Sequence, residues 1–394
     1  MAYILLTYLL APFWWLGSRL RRQRSDKILI LDVAGLGDVV CSTAVSRALR
    51  ERFPAARIDI LVDPRHQDLL ATDTHIDRVL GLPDRQGRGW RGRWQLVRLL
   101  RPYPILVCLC PSAALLTSMC WAAAPRRLSV LPDVRKTSYQ LLRPLLSASC
   151  AHRRGYPYVQ TQLDLLQALD VHSQDRRKSL PVAAASRQAA VLWLGPQTRH
   201  IGLMIGSGLA LKALSAATLR RLIELAEQAG DCELILLGGP AEQSLATQLL
   251  QGLAATVPVK NGCGVWSLGQ LPGLLASLDL LIGVDSGLLH MADALDLPLV
   301  CLSGPAAIEE QGPQGSRVRI LRSELACVPC SRPFVTPRHC ARGDRACVLD
   351  WSAETIWQAA TSLLLPAPAP RIKMLHALGE HDVGHQNTRQ PEEE

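Results

Sequence analysis

Short unbroken apolar runs recur along the chain, each passing through small or polar residues into a stretch with apolar positions at helical spacing. In the first half the runs 27–32, 58–62 and 105–109 read as buried strands; in the second half 201–205, 234–237, 280–283 and 299–302 do so. Between them 42–53 repeats apolar residues at Ala44, Val45, Ala48 and Leu49, and 115–124, 163–169, 217–229, 242–251 and 267–278 read as helices. Strands apolar on both faces, alternating with helices, predict an α/β fold with parallel sheets. The alternation occurs twice. It predicts two domains, 27–180 and 199–325, with the polar stretch 173–178 and the linker 181–198 at their junction. An irregular Cys-bearing segment (326–350) and a helix over 351–366, capped by Ser352, follow. The tail, 367–394, is dominated by Pro, His and Glu and reads as disordered.

Residues 1–17 are almost wholly apolar, contain Pro12 and the pair Trp14-Trp15, and run straight into the basic spacer Arg19 to Arg24. A secretory signal places its charges before the apolar stretch, so this segment, 1–26 with its spacer, is not expected to be removed. Its length is the lower limit for a spanning helix. Three options stay open: a crossing with the basic side inside, a helix lying in the lipid interface, or a helix packed on the protein's own core.

At 394 residues the chain is long enough for two cores, and 48% hydrophobic with only 5% aromatic residues favours α/β over all-β architecture. The net charge of +9 comes from arginine, notably Arg85, Arg88, Arg91, Arg93, Arg98 and Arg101. No nucleic-acid-reading motif accompanies them, so nucleic acid is excluded as a partner. Eight of the twelve cysteines are scattered through apolar segments, as in a reducing compartment. The other four, Cys327, Cys330, Cys340 and Cys347, match a structural zinc site in number, although only one pair has the tight spacing; reduced or disulfide-paired thiols are the alternative.

Candidate chemistry sits where strands give way to helices. Gly35-Leu36-Gly37-Asp38 begins like a dinucleotide fingerprint but lacks the third glycine, and no clear acidic residue ends the next strand. Asp38 opens a helix, where it serves either as a cap or, in a crevice, as a general base. In the second half Gly206-Ser207-Gly208 with Lys212, Gly238-Gly239-Pro240 with Glu242, and Asp285-Ser286-Gly287 with His290 leave three strands. Three small-residue turns along one sheet edge, one opening a helix, make a nucleotide-diphosphate pocket.

With LGDVV at 36–40, the lysine after a Gly-Ser-Gly turn, LLGGP-x-E at 236–242 and D-S-G-x-x-H-x-A at 285–292 in this order, the chain resembles the ADP-heptose:lipopolysaccharide heptosyltransferases, glycosyltransferase family 9. The resemblance implies a GT-B fold, two facing Rossmann-like domains, with the acceptor on the first and the nucleotide sugar on the second. It implies Asp38 as the base, Gly37, Arg88 and Arg91 on the acceptor side, Lys212, Ser207, Gly239 and Asp285 around the donor, and Ser286, Gly287 and His290 at its phosphates. Glu242 would meet the base or ribose. Chemistry would be inverting and metal-independent, with no cofactor. A heptose from an ADP-heptose donor would pass to a lipopolysaccharide or other lipid-linked saccharide on the cytoplasmic side of a bacterial inner membrane. The chain departs from the pattern at Asp32-Val33-Ala34-Gly35, where members usually carry a basic residue and serines, and at Leu214, where a Trp is usual; both leave sugar and acceptor open. A nucleotide-dependent oxidoreductase and a sugar-binding protein of the same fold without turnover are the alternatives.

Overall fold

The computed structural model describes residues 2–20, 26–83, 89–134, 136–195, 199–253 and 258–364. The apolar runs form two six-stranded sheets in which all strands are parallel. In the first, β1 (Lys27–Asp32), β2 (Arg57–Val62), β3 (Arg78–Gly81), β4 (Ile105–Cys108), β5 (Arg126–Leu131) and β6 (Ala148–Ala151) stand in the order 3-2-1-4-5-6. The second holds β7 (His200–Met204), β8 (Glu233–Leu237), β9 (Val259–Asn261), β10 (Leu280–Val284), β11 (Leu299–Leu302) and β12 (Val318–Leu321), ordered 12-11-10-7-8-9. Read from β9 this is the same winding. Each sheet therefore reverses direction beside its first strand, between β1 and β4 and between β7 and β10, and ligands bind in the crevice such a reversal opens at the carboxyl ends.

The central strands are apolar on both faces because helices cover both: Leu29, Ile30, Leu31, Leu281 and Ile282 are fully buried. Register is exact across the switch, with Ile28 beside Ile105 and Leu281 beside Gly202. The expected linker differs. Residues 184–194 form a helix, Ala184–Leu194, whose Ala190 and Leu194 are buried and which packs on Leu271–Leu275 of the second domain. The crossover is instead the extended stretch 171–183, held to the first domain by Ser179 N–H donating to Thr43 Oγ1 (3.0 Å) and by Arg47 donating to the Arg177 carbonyl (2.7 Å). The last helix, Ala353–Thr361, lies on the second domain, where Glu354 pairs with Arg221 at 2.8 Å.

Residues 2–20 form two short helices, Ala2–Leu9 and Ala11–Leu20, broken at Leu10 just before Pro12, which has no N–H to offer a helix. Among the described residues no helix is long and apolar enough to cross a membrane. One side of the pair packs on the first domain. Ile4 and Trp14 join a core with Leu96, Leu100, Leu116 and Met119, and Thr7 receives the Trp121 indole N–H at 2.9 Å. The tail 367–394 and Arg88 lie outside the described residues.

Candidate active site between the domains

The turns after β1, β7, β8 and β10 meet around a cavity of about 810 Å³. Gly35 to Asp38 line it from the first domain; Lys212, Glu242, Asp285 to Gly287 and His290 line it from the second. The domains come together here unusually closely. A methyl group added to Gly37 would stand 2.7 Å from His290 Cδ2, and one on Gly287 would stand 2.7 Å from Leu36 Cβ. These two glycines let helix Leu36–Cys41 and helix Gly287–Ala294 interlock across the domain boundary, which explains their spacing in both motifs.

Asp38 sits in the first turn of its helix and looks into the cavity. Its Oδ2 accepts the Gly35 N–H at 3.2 Å, so it does act as a cap; its Oδ1 accepts Gln311 Nε2–H at 3.2 Å, a contact from the opposite domain. Burial raises its pKa above the ordinary carboxylate range, with the neighbouring His290 opposing and the Asp285 charge adding. On the facing wall, Asp285 is buried, which alone would raise its pKa, but His290 and Lys212 override this and hold it low. Lys212 Nζ donates to Asp285 Oδ2 at 2.6 Å and to the Asp285 carbonyl at 3.1 Å; His290 Nε2 lies 3.3 Å from Asp285 Oδ1.

Helix Gly287–Ala294 starts at Ser286, whose side chain makes no capping bond, so the first-turn N–H groups are not satisfied from within. Together with Lys212 they give this wall the positive character that an anion needs. Glu242 donates nothing to that; its Oε2 accepts the Gly239 N–H at 2.8 Å and its side chain fills the space over Gly206. Ser207 Oγ accepts from Leu209 N–H at 3.4 Å at the cavity's edge.

The glycosyltransferase family 9 (heptosyltransferase) family model matches residues 111–335, more than half of the chain. The chain belongs to glycosyltransferase family 9. Relatives include lipooligosaccharide heptosyltransferase 2 of Haemophilus ducreyi, 25% identical over 322 residues that cover 75% of this chain and 88% of that protein. Lipooligosaccharide heptosyltransferase 2 of a Campylobacter jejuni strain is 29% identical over 133 residues, covering 33% of this chain and only 40% of that protein. The solved ADP-heptose lps heptosyltransferase II of Escherichia coli superposes with a TM-score of 0.67 at 20% identity, covering 86% of this chain and 98% of that one, a likeness of fold. The GT-B architecture expected from the motifs is thus the observed one, and family membership sets aside the oxidoreductase alternative.

This glycosyltransferase carries further site residues that its motifs did not announce. Lys178, the last residue of the polar stretch at the domain junction, is buried with its Nζ 2.8 Å from Asp293 Oδ2, 3.0 Å from His290 Nδ1 and 3.4 Å from the Gly312 carbonyl. An ammonium has only donors, so Nδ1 must be the bare nitrogen, and in neutral His290 the proton sits on Nε2, facing Asp285. Asp293 is occupied in turn, its Oδ1 accepting Gln314 and Gly315 N–H at 2.7 and 2.8 Å. Gln311 and Glu310 come from the short helix Ile308–Gln311; Glu310 Oε2 lies 3.0 Å from His152 Nε2 of the first domain and Oε1 accepts Gly155 N–H at 2.9 Å. Trp266, Arg332 and Phe334 also line the cavity. None of these follows a strand-to-helix turn of small residues, the one signal that picked out the others.

Asp32, at the departure from the usual pattern, lies buried near Asp38. Burial, and then the Asp38 charge, push its pKa up to about 7 from the ordinary 3.8, and its Oδ2 has no hydrogen-bond partner. A carboxyl whose pKa is higher folded than unfolded keeps its proton longer in the folded chain, so its ionisation erodes stability as pH rises from about 4 to 7. Asp32→Asn should therefore stabilise the protein by about 2–4 kcal/mol at pH 8, with the gain shrinking towards pH 5. Thermal unfolding at both pH values checks this; an equal gain at each would refute it.

Of the arginines expected on the acceptor side, Arg91 is exposed on helix Gly89–Leu100 and is not among the residues lining the cavity, whose cations are Lys212, Arg65 and Arg332. The four clustered thiols are free, and among the described residues no group of three or more His, Cys, Asp or Glu side chains could hold a metal ion. Cys327 and Cys330 are exposed while Cys347 is buried, its thiol pushed up to about 11 by burial and then by the neighbouring Cys330, Cys327 and Cys340. What the segment contributes is Ser331 to Phe334 at the cavity wall.

Proposed function

We propose that the chain transfers a heptose from an ADP-heptose donor, with inversion and without a catalytic metal, to a lipopolysaccharide or other lipid-linked saccharide at the cytoplasmic face of a bacterial inner membrane. The observation that carries this reading is the Asp38 carboxylate on one wall of the cavity, opposite Lys212, His290 and an unsatisfied helix N-terminus on the other.

In this reading Asp38 accepts the proton of the acceptor hydroxyl while that oxygen forms its bond to the anomeric carbon. The bond from that carbon to the donor's phosphate oxygen breaks on the opposite face, so configuration inverts. The leaving diphosphate keeps the electron pair, and its charge meets the N–H groups of Gly287 and its neighbours, Lys212 Nζ and the Nε2–H of His290. These groups supply the compensation that a divalent cation gives elsewhere. A base with a raised pKa suits the task, since proton affinity rises with it. Gly239 and Glu242 border the space left for the nucleoside, and Ser207 the phosphates.

A thermal-shift screen of ADP-, GDP- and UDP-sugars is expected to show stabilisation by ADP-heptose alone, and a shift of about 2–3 kcal/mol at a hundredfold excess over Kd. Release of ADP should then require extracted lipid-linked glycan. Equal stabilisation by UDP-sugars would overturn the donor assignment, and donor binding without ADP release from any glycan would leave a binding protein in place of an enzyme.

A further inference from the structure

The outer layer of the first domain leaves one face that its own core does not cover. Helices Ala2–Leu9 and Ala11–Leu20 turn Ile4, Thr7 and Trp14 inward. Outward they present Leu5, Leu9, Phe13, Leu16 and Leu20, exposed to 61, 75, 74, 53 and 73%. The spacing of four, four, three and four residues makes these one stripe running over both helices. A second, non-contiguous element continues it. Helix Gly89–Leu100 exposes Trp90 and Trp94, stacked with their rings 6.5 Å apart, and Trp90 meets Trp121 at 5.9 Å, which in turn meets Tyr3 at 6.0 Å.

Seven large apolar side chains on one connected surface exceed what an isolated chain exposes without purpose. The charge around them is one-sided. Residues 1–25 and 85–132 contain no Asp or Glu, whereas Arg19 stacks over the half-exposed Trp15 at 3.8 Å and Arg91, Arg98 and Arg101 are exposed on or beside the second helix. A surface joining an aliphatic stripe, tryptophans and arginines, on segments that themselves carry no carboxylate, matches the boundary between acidic headgroups and acyl chains. Nucleic acid would have no use for the stripe.

We propose that this face is a monotopic dock for an acidic bilayer: Leu9, Phe13 and Leu16 enter the acyl boundary, Trp15, Trp90 and Trp94 lie at headgroup depth, and the arginines contact lipid phosphates. The inference deepens the reading of a lipid-linked acceptor, for it names the surface that meets the lipid, but the binding itself needs neither donor nor acceptor.

The test uses the full chain and vesicles of phosphatidylcholine, with or without about 30% phosphatidylglycerol, in a flotation assay. The wild type is expected to float with the acidic vesicles, less with neutral ones, and less at high salt. Leu9→Ser with Phe13→Ser should cut partitioning about tenfold or more, and Arg19→Glu with Arg91→Glu should abolish the preference for acidic lipid. All variants should keep the wild-type melting temperature and its shift with ADP, because every substituted side chain is exposed. Vesicles with brominated acyl chains should quench tryptophan fluorescence in the wild type. Undiminished flotation of the Leu9/Phe13 variant would overturn the proposal. So would a wild type that ignores vesicles and forms dimers that the same variant dissolves. Failure of the ADP shift with normal flotation would instead strike the donor assignment and leave the dock standing.

Discussion

Asp38→Asn is expected to lower turnover by about two to four orders of magnitude while leaving donor affinity within about twofold of wild type. The amide is nearly isosteric, retains an oxygen for the Gly35 N–H, and keeps the interlocked glycines in place, so the fold and the phosphate wall are undisturbed. What disappears is the proton acceptor. The companion substitution Gln311→Leu removes a hydrogen bond that favours the ionised carboxylate, and it should move the acid limb of the pH–rate profile upward without abolishing activity. Steady-state kinetics of ADP release across pH separates the two. Unchanged turnover in Asp38→Asn would remove this carboxylate from the chemistry.

Lys178→Met should produce the largest loss of stability. Lys178 and Asp293 are buried to 1 and 2% side-chain exposure, and deleting one member of such a pair strands the other, at a cost of about 3–5 kcal/mol. For a chain with domains of this size that lowers the melting temperature by roughly 10 °C. The ammonium also holds the proton of His290 on Nε2. Without it either tautomer is accessible, and donor affinity should fall about tenfold, one hydrogen bond to a charged group. The double change Lys178→Met with Asp293→Asn, whose amide oxygen still accepts the Gln314 and Gly315 N–H groups, discriminates between the roles. It should recover much of the melting temperature, since no buried charge is left alone, but not the donor affinity. Recovery of both would make Lys178 purely structural.

Most central strands were legible because a parallel strand covered on both faces is an unbroken apolar run, as in 27–32 and 280–283; β5, interior in the first sheet, was not, since it opens on Arg126 and Arg127 and carries Ser129. Edge strands were not. β3 carries Arg78 at an exposed position, β9 is three residues long and β12 alternates with Arg319, so each lacks the continuous apolar signature. Helix Ala184–Leu194 looks like linker in sequence because its first turns are Ala, Ser, Arg and Gln, and only Ala190 and Leu194 are buried. In the cavity, Asp38, Lys212 and Asp285 through His290 were visible since small-residue turns mark where backbone must approach a ligand. Lys178, Gln311 and Glu310 were invisible for a converse reason: they act across a domain boundary that forms only when both halves have folded, and no local pattern encodes it.

The helix Ile308–Gln311 has a bearing on fidelity. It belongs to the second domain, yet Glu310 grips His152 and Gly155 of the first while Gln311 steadies the carboxylate of Asp38. Any swing that parts the two halves withdraws both contacts together and carries the phosphate wall away from the carboxylate. Under the proposed function, an enzyme open with a loaded donor has its base withdrawn from the phosphate wall, so stray water is spared activation. Four residues that do no chemistry themselves would then guard against wasteful hydrolysis of the activated sugar.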